Sequence, residues 1–245
     1  MTNSDEQAFE HLNSFIKRLE NLESIELKGM GIVEHIGELV QAINRPKLHT
    51  LKLPLNGIEA EYCLYFTHML PFETLVHLDL SNNWFGDAGL SLFKHSFKNF
   101  KCLKVLNISN NKLCPVEPGL GDVREFRDTL EAVAHSLEEL SICENRIGDP
   151  EMVDFLMEPI ARMANLRNLN ISRNLVSGIG IVGLLERIIT VQMESTSMPP
   201  KLQKLNVTGC WLKDQGLAEL LPKVASEFTS MDSLIVSANR LTENS

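Results

Sequence analysis

Hydrophobic and polar positions alternate along this chain in short bursts, and the bursts recur. In LVHLDLSNNWF, residues 75–85, Leu75 leads, Leu78 and Leu80 alternate with polar His77, Asp79 and Ser81, and Asn83 precedes Phe85. Alternation of this kind predicts a short strand with one buried face. The pattern L-x-x-L-x-L-x-x-N-x-L also starts at Leu22, Leu48, Leu103, Leu137, Leu166 and Leu202, and at Met231 with methionine leading. Its ninth position reads Met30, Asn56, Asn83, Asn111, Asn145, Asn174, Cys210 and Asn239, so asparagine fills six of eight. Asn83 is therefore a repeat residue and not an isolated catalytic one. An amide there can bond backbone groups of its own coil and the neighbouring one. Losing one rung of such a ladder should cost about 1–3 kcal/mol. Cysteine can substitute because it is small and donates weakly. Met30 cannot donate, and it sits in the first copy, where end repeats are expected to depart from the pattern.

After each strand the period changes to that of a helix. Leu90, Phe93, Phe97 and Phe100 share one face, as do Leu217, Leu220, Leu221 and Val224. The repeats start 26, 27, 28, 34, 29, 36 and 29 residues apart. A strand and a full helix fit 26–29 residues, and the two longer units carry insertions. The first, CPVEPGLGDVREF after Leu113, has two prolines and two glycines and reads as a loop. It should border the strand-to-helix edge. The second, TVQMESTSMPPK after Ile189, should follow its helix on the opposite edge.

Eight in-phase copies, with tails such as FGDAGLSLF and LKDQGLAEL, resemble the leucine-rich repeat family, and within it the ribonuclease-inhibitor-like subfamily. The resemblance runs from Leu22 to Leu241. It implies an α/β curved solenoid, or horseshoe, of about eight repeats, with parallel strands on the concave face and helices on the convex face. It also implies protein recognition as the usual job. Residues 1–21, with Phe9, Leu12, Ile16 and Leu19 at helical spacing, are expected to form an N-terminal capping helix on a solenoid spanning 22–245, the two making one domain. The sequence stops four residues after Leu241, with no helix for the eighth unit. Its last strand should therefore fray, associate with another copy through the C-terminal edge, or be followed by more chain.

Positions 3, 5 and 7 of each copy should point out from the sheet. From these rows His77, Asp79, Asn107, Glu139 and Asn170 are candidate partner-binding residues. Trp84 and Trp211, both at position 10 on the turn past the strand, are further candidates, because tryptophan is enriched at interface hot spots. The competing reading packs each ring against the next coil. Pro115 and Glu117 are added from the first insertion, since loops beside a binding surface often carry function. Eight strands at about 4.8 Å spacing give an arc of roughly 34 Å, which suits a protein or peptide.

Composition narrows the chemistry. The 245-residue chain is 44% hydrophobic and 22% charged, as in ordinary globular proteins, and its formal net charge is -9. That balance argues against nucleic-acid binding through phosphates. No apolar run approaches the roughly 20 residues of a membrane helix, and the N-terminus lacks an apolar signal core, so a cytoplasmic or nuclear location is expected. The five cysteines form no CxxC pair, and reduced, mostly buried thiols are the expectation. Neither a metal nor a cofactor is expected. The sequence has no phosphate-binding GxxxxGK[ST], no GxSxG and no HExxH. Three N-x-S/T triplets, at Asn107, Asn170 and Asn206, share one repeat position and so arise from the period. The expected function is a non-enzymatic scaffold or adaptor that binds a protein through its concave face and strand-to-helix edge. The alternative is a regulator of a small GTPase, because this repeat type is similar to that of the activator of the Ran GTPase.

Overall fold

The computed structural model describes residues 3–67, 69–114, 123–196 and 198–242. Eight strands of three residues each carry the pattern: β1 Ser24–Glu26, β2 Thr50–Lys52, β3 His77–Asp79, β4 Val105–Asn107, β5 Glu139–Ser141, β6 Asn168–Asn170, β7 Lys204–Asn206 and β8 Ser233–Ile235. They form one parallel sheet in chain order. Equal repeat positions lie side by side, so His77 pairs with Val105, Val105 with Glu139, and Glu139 with Asn168. The result is the curved solenoid expected from the repeats, with strands lining one face and helices the other.

The strands are short because the chain turns inward soon after them. Position 8 takes a left-handed backbone in every coil, at Gly29, Leu55, Asn82, Asn110, Glu144, Arg173, Gly209 and Ala238, with φ between 51° and 66°. This turn drives the position-9 side chain into the interior. Asn83, Asn111 and Asn145 have no exposed surface. The amide of Asn83 donates to the carbonyls of Leu53, Leu80 and Ser81, while its oxygen accepts from Asn56 and Ile58. Asn111, Asn145 and Asn174 repeat the arrangement one coil on each time. Cys210 keeps the rung as a weak donor, with Sγ 3.4 Å from the Ile171 carbonyl. Met30 makes no rung; its side chain is exposed, and its backbone N–H donates to Asn56 Oδ1.

The outer layer contains α1 Asn3–Arg18, α2 Ile36–Ile43, α3 Gly86–Phe97, α4 Arg124–Val133, α5 Asp149–Glu151, α6 Met157–Ala161, α7 Gly178–Thr196 and α8 Lys213–Glu227. A wide π turn, Met152–Leu156, joins α5 to α6. The second coil departs from the expected full helix. It uses a 3-10 segment, Ala60–Phe66, in which Cys63 and Phe66 are buried three residues apart, one turn of that tighter helix. Phe66, Phe85, Phe93, Phe97 and Phe100 then fill the space behind β2–β4 with edge-on and tilted ring contacts at 5.3–5.8 Å. Such pairs contribute about 0.5–1.5 kcal/mol beyond burial.

The two insertions fare differently. Residues 115–122, which include Pro115 and Glu117, lie outside the described residues. In the sixth unit much of the expected loop is helix, because α7 continues to Thr196. Val191 to Glu194 are compatible with a helix. Gln192 turns inward to donate to the carbonyls of Ala161 and Met163, both at 3.3 Å, which anchors the extra turns.

At the far end of the sheet, β8 pairs with β7 alone. Leu234 and Val236 are only partly buried, whereas their counterparts Leu205 and Val207 are fully buried. Among the eight strands, amide hydrogen exchange is therefore expected to be fastest in residues 233–236 of a monomer. Protection there equal to that of β4 would show that this edge is covered.

Candidate functional site

Strand residues at positions 3 and 5 form the floor of a shallow concavity of about 400 Å³ on the inner face. It brings together His77, Asp79, Asn107, Glu139 and Asn170, with Lys52, Lys204 and Ile235 beside them. Position 7 joins this surface only in part, with Lys28 and Ser237 exposed and Cys143 and Thr208 half-buried. Ser81, Ser109 and Ser172 are buried, because the strand has already ended and the turn folds them under position 5. In these three coils the position-5 side chain closes that turn. Asp79 Oδ1 accepts from the Ser81 N–H at 2.8 Å, Asn107 Oδ1 from Ser109 at 3.1 Å, and Asn170 Oδ1 from Ser172 at 3.1 Å. Such Asx turns hold short polar side chains against the backbone.

The rows are also linked sideways. Asn107 donates to Asp79 Oδ2 at 3.1 Å, and Asn170 donates to the Ser141 hydroxyl at 3.0 Å. Asp79, Asn107 and Asn170 thus use part of their hydrogen-bonding capacity on their own scaffold, and a partner meets an ordered polar row. His77 is half-buried. Desolvation, reinforced by the nearby positive charge of Lys52, holds its imidazole below the ordinary value of 6.5 against the pull of Asp79, Glu139 and Glu26. At neutral pH it is uncharged and presents one donor and one acceptor.

The two tryptophans stand outside the concavity, on the edge where strands turn toward the convex face. Trp84 is 56% exposed and Trp211 38%. Their backbones are fixed to the preceding coil, since Trp84 N–H donates to the Ile58 carbonyl and Trp211 N–H to that of Val176. Each ring also meets the following coil, as the packing alternative anticipated, but through a cation. Lys112 Nζ lies 5.0 Å from the centre of the Trp84 ring, and the Arg240 guanidinium 4.4 Å from that of Trp211. Those two cations were not singled out from the sequence. Reading position 10 as one row, Trp84, Lys112, Arg146, Leu175, Trp211, Arg240, would have found them.

A second set of side chains binds coil to coil behind this edge. Asp149 accepts from the backbone N–H and hydroxyl of Ser177, and Asp214 does the same for Thr242. For Asp214 this explains the aspartate of the LKDQG tail as a staple between neighbours, and Asp149 plays the same part from a GDPE turn. Among the described residues no cluster of three or more His, Cys, Asp or Glu side chains could hold a metal, and no helix is long and apolar enough to cross a membrane.

A sequence model described as Leucine Rich repeat matches residues 73–94 and 199–221. These two segments span β3 with the start of α3, and β7 with the start of α8. No curated protein matches the chain significantly. Among solved structures, the chain is similar to the tropomodulin C-terminal domain from structural genomics of Caenorhabditis elegans. That match has 14% identity, covers 75% of this chain and 90% of that one, and has a TM-score of 0.44. It is also similar to a plant peptide hormone receptor, RGFR1, in complex with RGF2, at 17% identity and a TM-score of 0.46. That match covers 89% of this chain and 32% of the receptor chain. Neither likeness carries an argument about what this chain binds.

Proposed function

Since this chain is a leucine-rich repeat protein, we propose that it is a non-enzymatic interaction module whose concave face and adjoining strand-to-helix edge hold a protein partner. The observation that carries the reading is the unbroken inner surface of eight aligned strands. Its exposed rows are mostly polar, and Asp79, Asn107, Asn170 and Asn206 among them are already ordered by their own scaffold. Ordered donors and acceptors lose little freedom on binding, which lowers the entropic cost of recognition. The shallow, open shape suits an extended or convex protein surface better than a small molecule enclosed on most sides.

We assign the repeats to the ribonuclease-inhibitor-like type on the 26–29-residue length of the regular units. We take residues 1–21 as a cap on a single domain. Supporting this, Phe9 and Ile16 of α1 are buried, and Phe9 stacks on His35 with centroids 4.4 Å apart. Five free thiols suit a reducing, cytoplasmic compartment.

The test has two arms. Once a partner is identified, Glu139→Arg on the inner face should weaken binding at least tenfold with unchanged thermal stability, and Asn170→Arg should weaken it as much at a stability cost of about 1 kcal/mol, because it gives up the bonds to Ser141 and Ser172. Lys98→Glu on the outer layer should leave it unchanged. The opposite pattern would move the site to the convex face. A GTP-hydrolysis assay with small GTPases separates this reading from that of a GTPase regulator, and no acceleration is the expected result.

A further inference from the structure

On a chain with net charge -9, the strand-to-helix edge from the third to the eighth coil is a basic and aromatic strip. Trp84, Lys112, Arg146, Arg173, Trp211 and Arg240 all lie on it. Lys213 adds a further exposed cation beside Trp211. The one carboxylate at positions 8–10 of these coils, Glu144, is paired with Arg173 at 2.7 Å. Lys112, Arg146 and Arg240 pair with no carboxylate among the described residues. Of the helix-start carboxylates behind the strip, Asp149 and Asp214 are committed to Ser177 and Thr242, while Asp87 opens α3 and Glu59 flanks Trp84 at the third-coil end.

The backbone sharpens the point. Position 10 is left-handed in five coils, as Gly31, Gly57, Lys112, Arg146 and Arg240, with φ of 57–62° apart from 70° at Gly57. Glycine takes that conformation freely, and a side chain there is strained. The first two coils use glycine. The fourth, fifth and eighth accept the strain and place a cation on the edge.

We propose that this strip binds an extended acidic peptide segment of a protein partner, with two apolar side chains resting against Trp84 and Trp211 and a carboxylate between them on Arg146. The proposal rests on the interaction-module reading and names the partner's chemistry. The spacing supports it. Trp84 and Trp211 are four coils apart, about 19 Å at the usual strand separation, and an extended chain rising about 3.3 Å per residue spans this in about six residues. Arg146 belongs to the middle coil of the five, so the intervening carboxylate falls near the centre of the segment. A guanidinium can hold it with two parallel hydrogen bonds. A single-stranded nucleic acid would also find cations and aromatic rings here. It would bind by stacking bases on open ring faces, and on each tryptophan one face is already taken by Lys112 or Arg240. A carboxylate can pair with those cations while they stay on the rings.

The experiment is selection of a random twelve-residue peptide display library on the full chain, followed by affinity measurement of the enriched peptides. The expected peptides carry an excess of Asp and Glu between two large apolar residues five to seven positions apart. Their affinity should fall more than tenfold in Arg146→Glu and in the Trp84→Ala, Trp211→Ala double variant, and should weaken with added salt. Neutral or basic peptides would overturn the proposal. So would acidic ones indifferent to Arg146→Glu, or tighter binding of a twelve-nucleotide oligouridine than of any selected peptide. Peptides lost on Asn170→Arg but not on Arg146→Glu would sink the edge and leave the concave-face reading standing. Peptides insensitive to both variants would remove both.

Discussion

Asn111→Ala is expected to lower the stability of this solenoid by about 2–4 kcal/mol, and Asn107→Ala by about 1 kcal/mol. The two asparagines are four residues apart and differ in what depends on them. Asn111 is fully buried. Its oxygen is the acceptor for the Asn83 N–H at 3.1 Å, and its amide reaches the carbonyls of Leu80, Ile108 and Ser109. Those carbonyls have other donors, since Leu80 is also bonded by Asn83, Ile108 by Asn145 and Ser109 by Asn82. The Asn83 N–H has no such substitute and would be left buried and unpaired beside a small cavity. Asn107 sits on the wet side of the sheet, where water can replace its bonds to Asp79 and Ser109. Urea unfolding of both variants measures the difference. Equal midpoints would mean that the ladder does not hold the coils together.

The second large effect is steric. Gly178 begins α7 and Gly216 lies in the first turns of α8, and the two backbones touch. A Cβ on Gly178 would sit 2.6 Å from the Gly216 Cα and 3.0 Å from the Leu212 carbonyl oxygen, and one on Gly216 would sit 2.7 Å from the Gly178 Cα. Backbone atoms cannot rotate away as side chains do, so the helices must separate. Either alanine is expected to cost about 2–3 kcal/mol, the upper part of the range for overpacking. Gly183→Ala, in the same helix α7, is the control. Its Cβ would meet only the end of the Met157 side chain at 3.2 Å. Because alanine favours the helix over glycine by up to about 1 kcal/mol, that variant should be neutral or slightly more stable. Thermal unfolding of the three decides it. A Gly178→Ala protein as stable as the parent would place α7 and α8 farther apart than described.

Much of this was legible in one copy of the repeat multiplied by eight. The alternation at positions 4 and 6 located every strand. The asparagine at position 9 announced the ladder, down to the tolerance for Cys210 and the failure of Met30. These readings succeed because each depends on a residue's own coil and the next one, and the period states how the coils stack. The candidate site was legible in part. The rows containing His77, Asp79, Asn107, Glu139 and Asn170 could be assigned, but the burial of Ser81, Ser109 and Ser172 could not. It follows from the strand ending at position 5, and alternation alone does not mark that end. The extra turns of α7 were missed for a similar reason. VQMEST is polar enough to read as loop, and its anchor is Gln192 meeting carbonyls on another helix.

The sequence by itself therefore determined the order of the coils, the register of the sheet and which strand leucines and position-9 asparagines face the interior, since these are set by spacing along the chain. Only the tertiary structure decided what the surface offers. Stacking makes neighbours of residues about 28 positions apart, and the outcome depends on pairs that no single copy contains. Lys112 comes to lie over Trp84, Arg240 over Trp211 and Glu144 against Arg173, while Arg146 is left without a carboxylate among the described residues. A charge is neutralised or left available according to what the next coil places within a few ångströms of it, and that distance is set by packing in three dimensions.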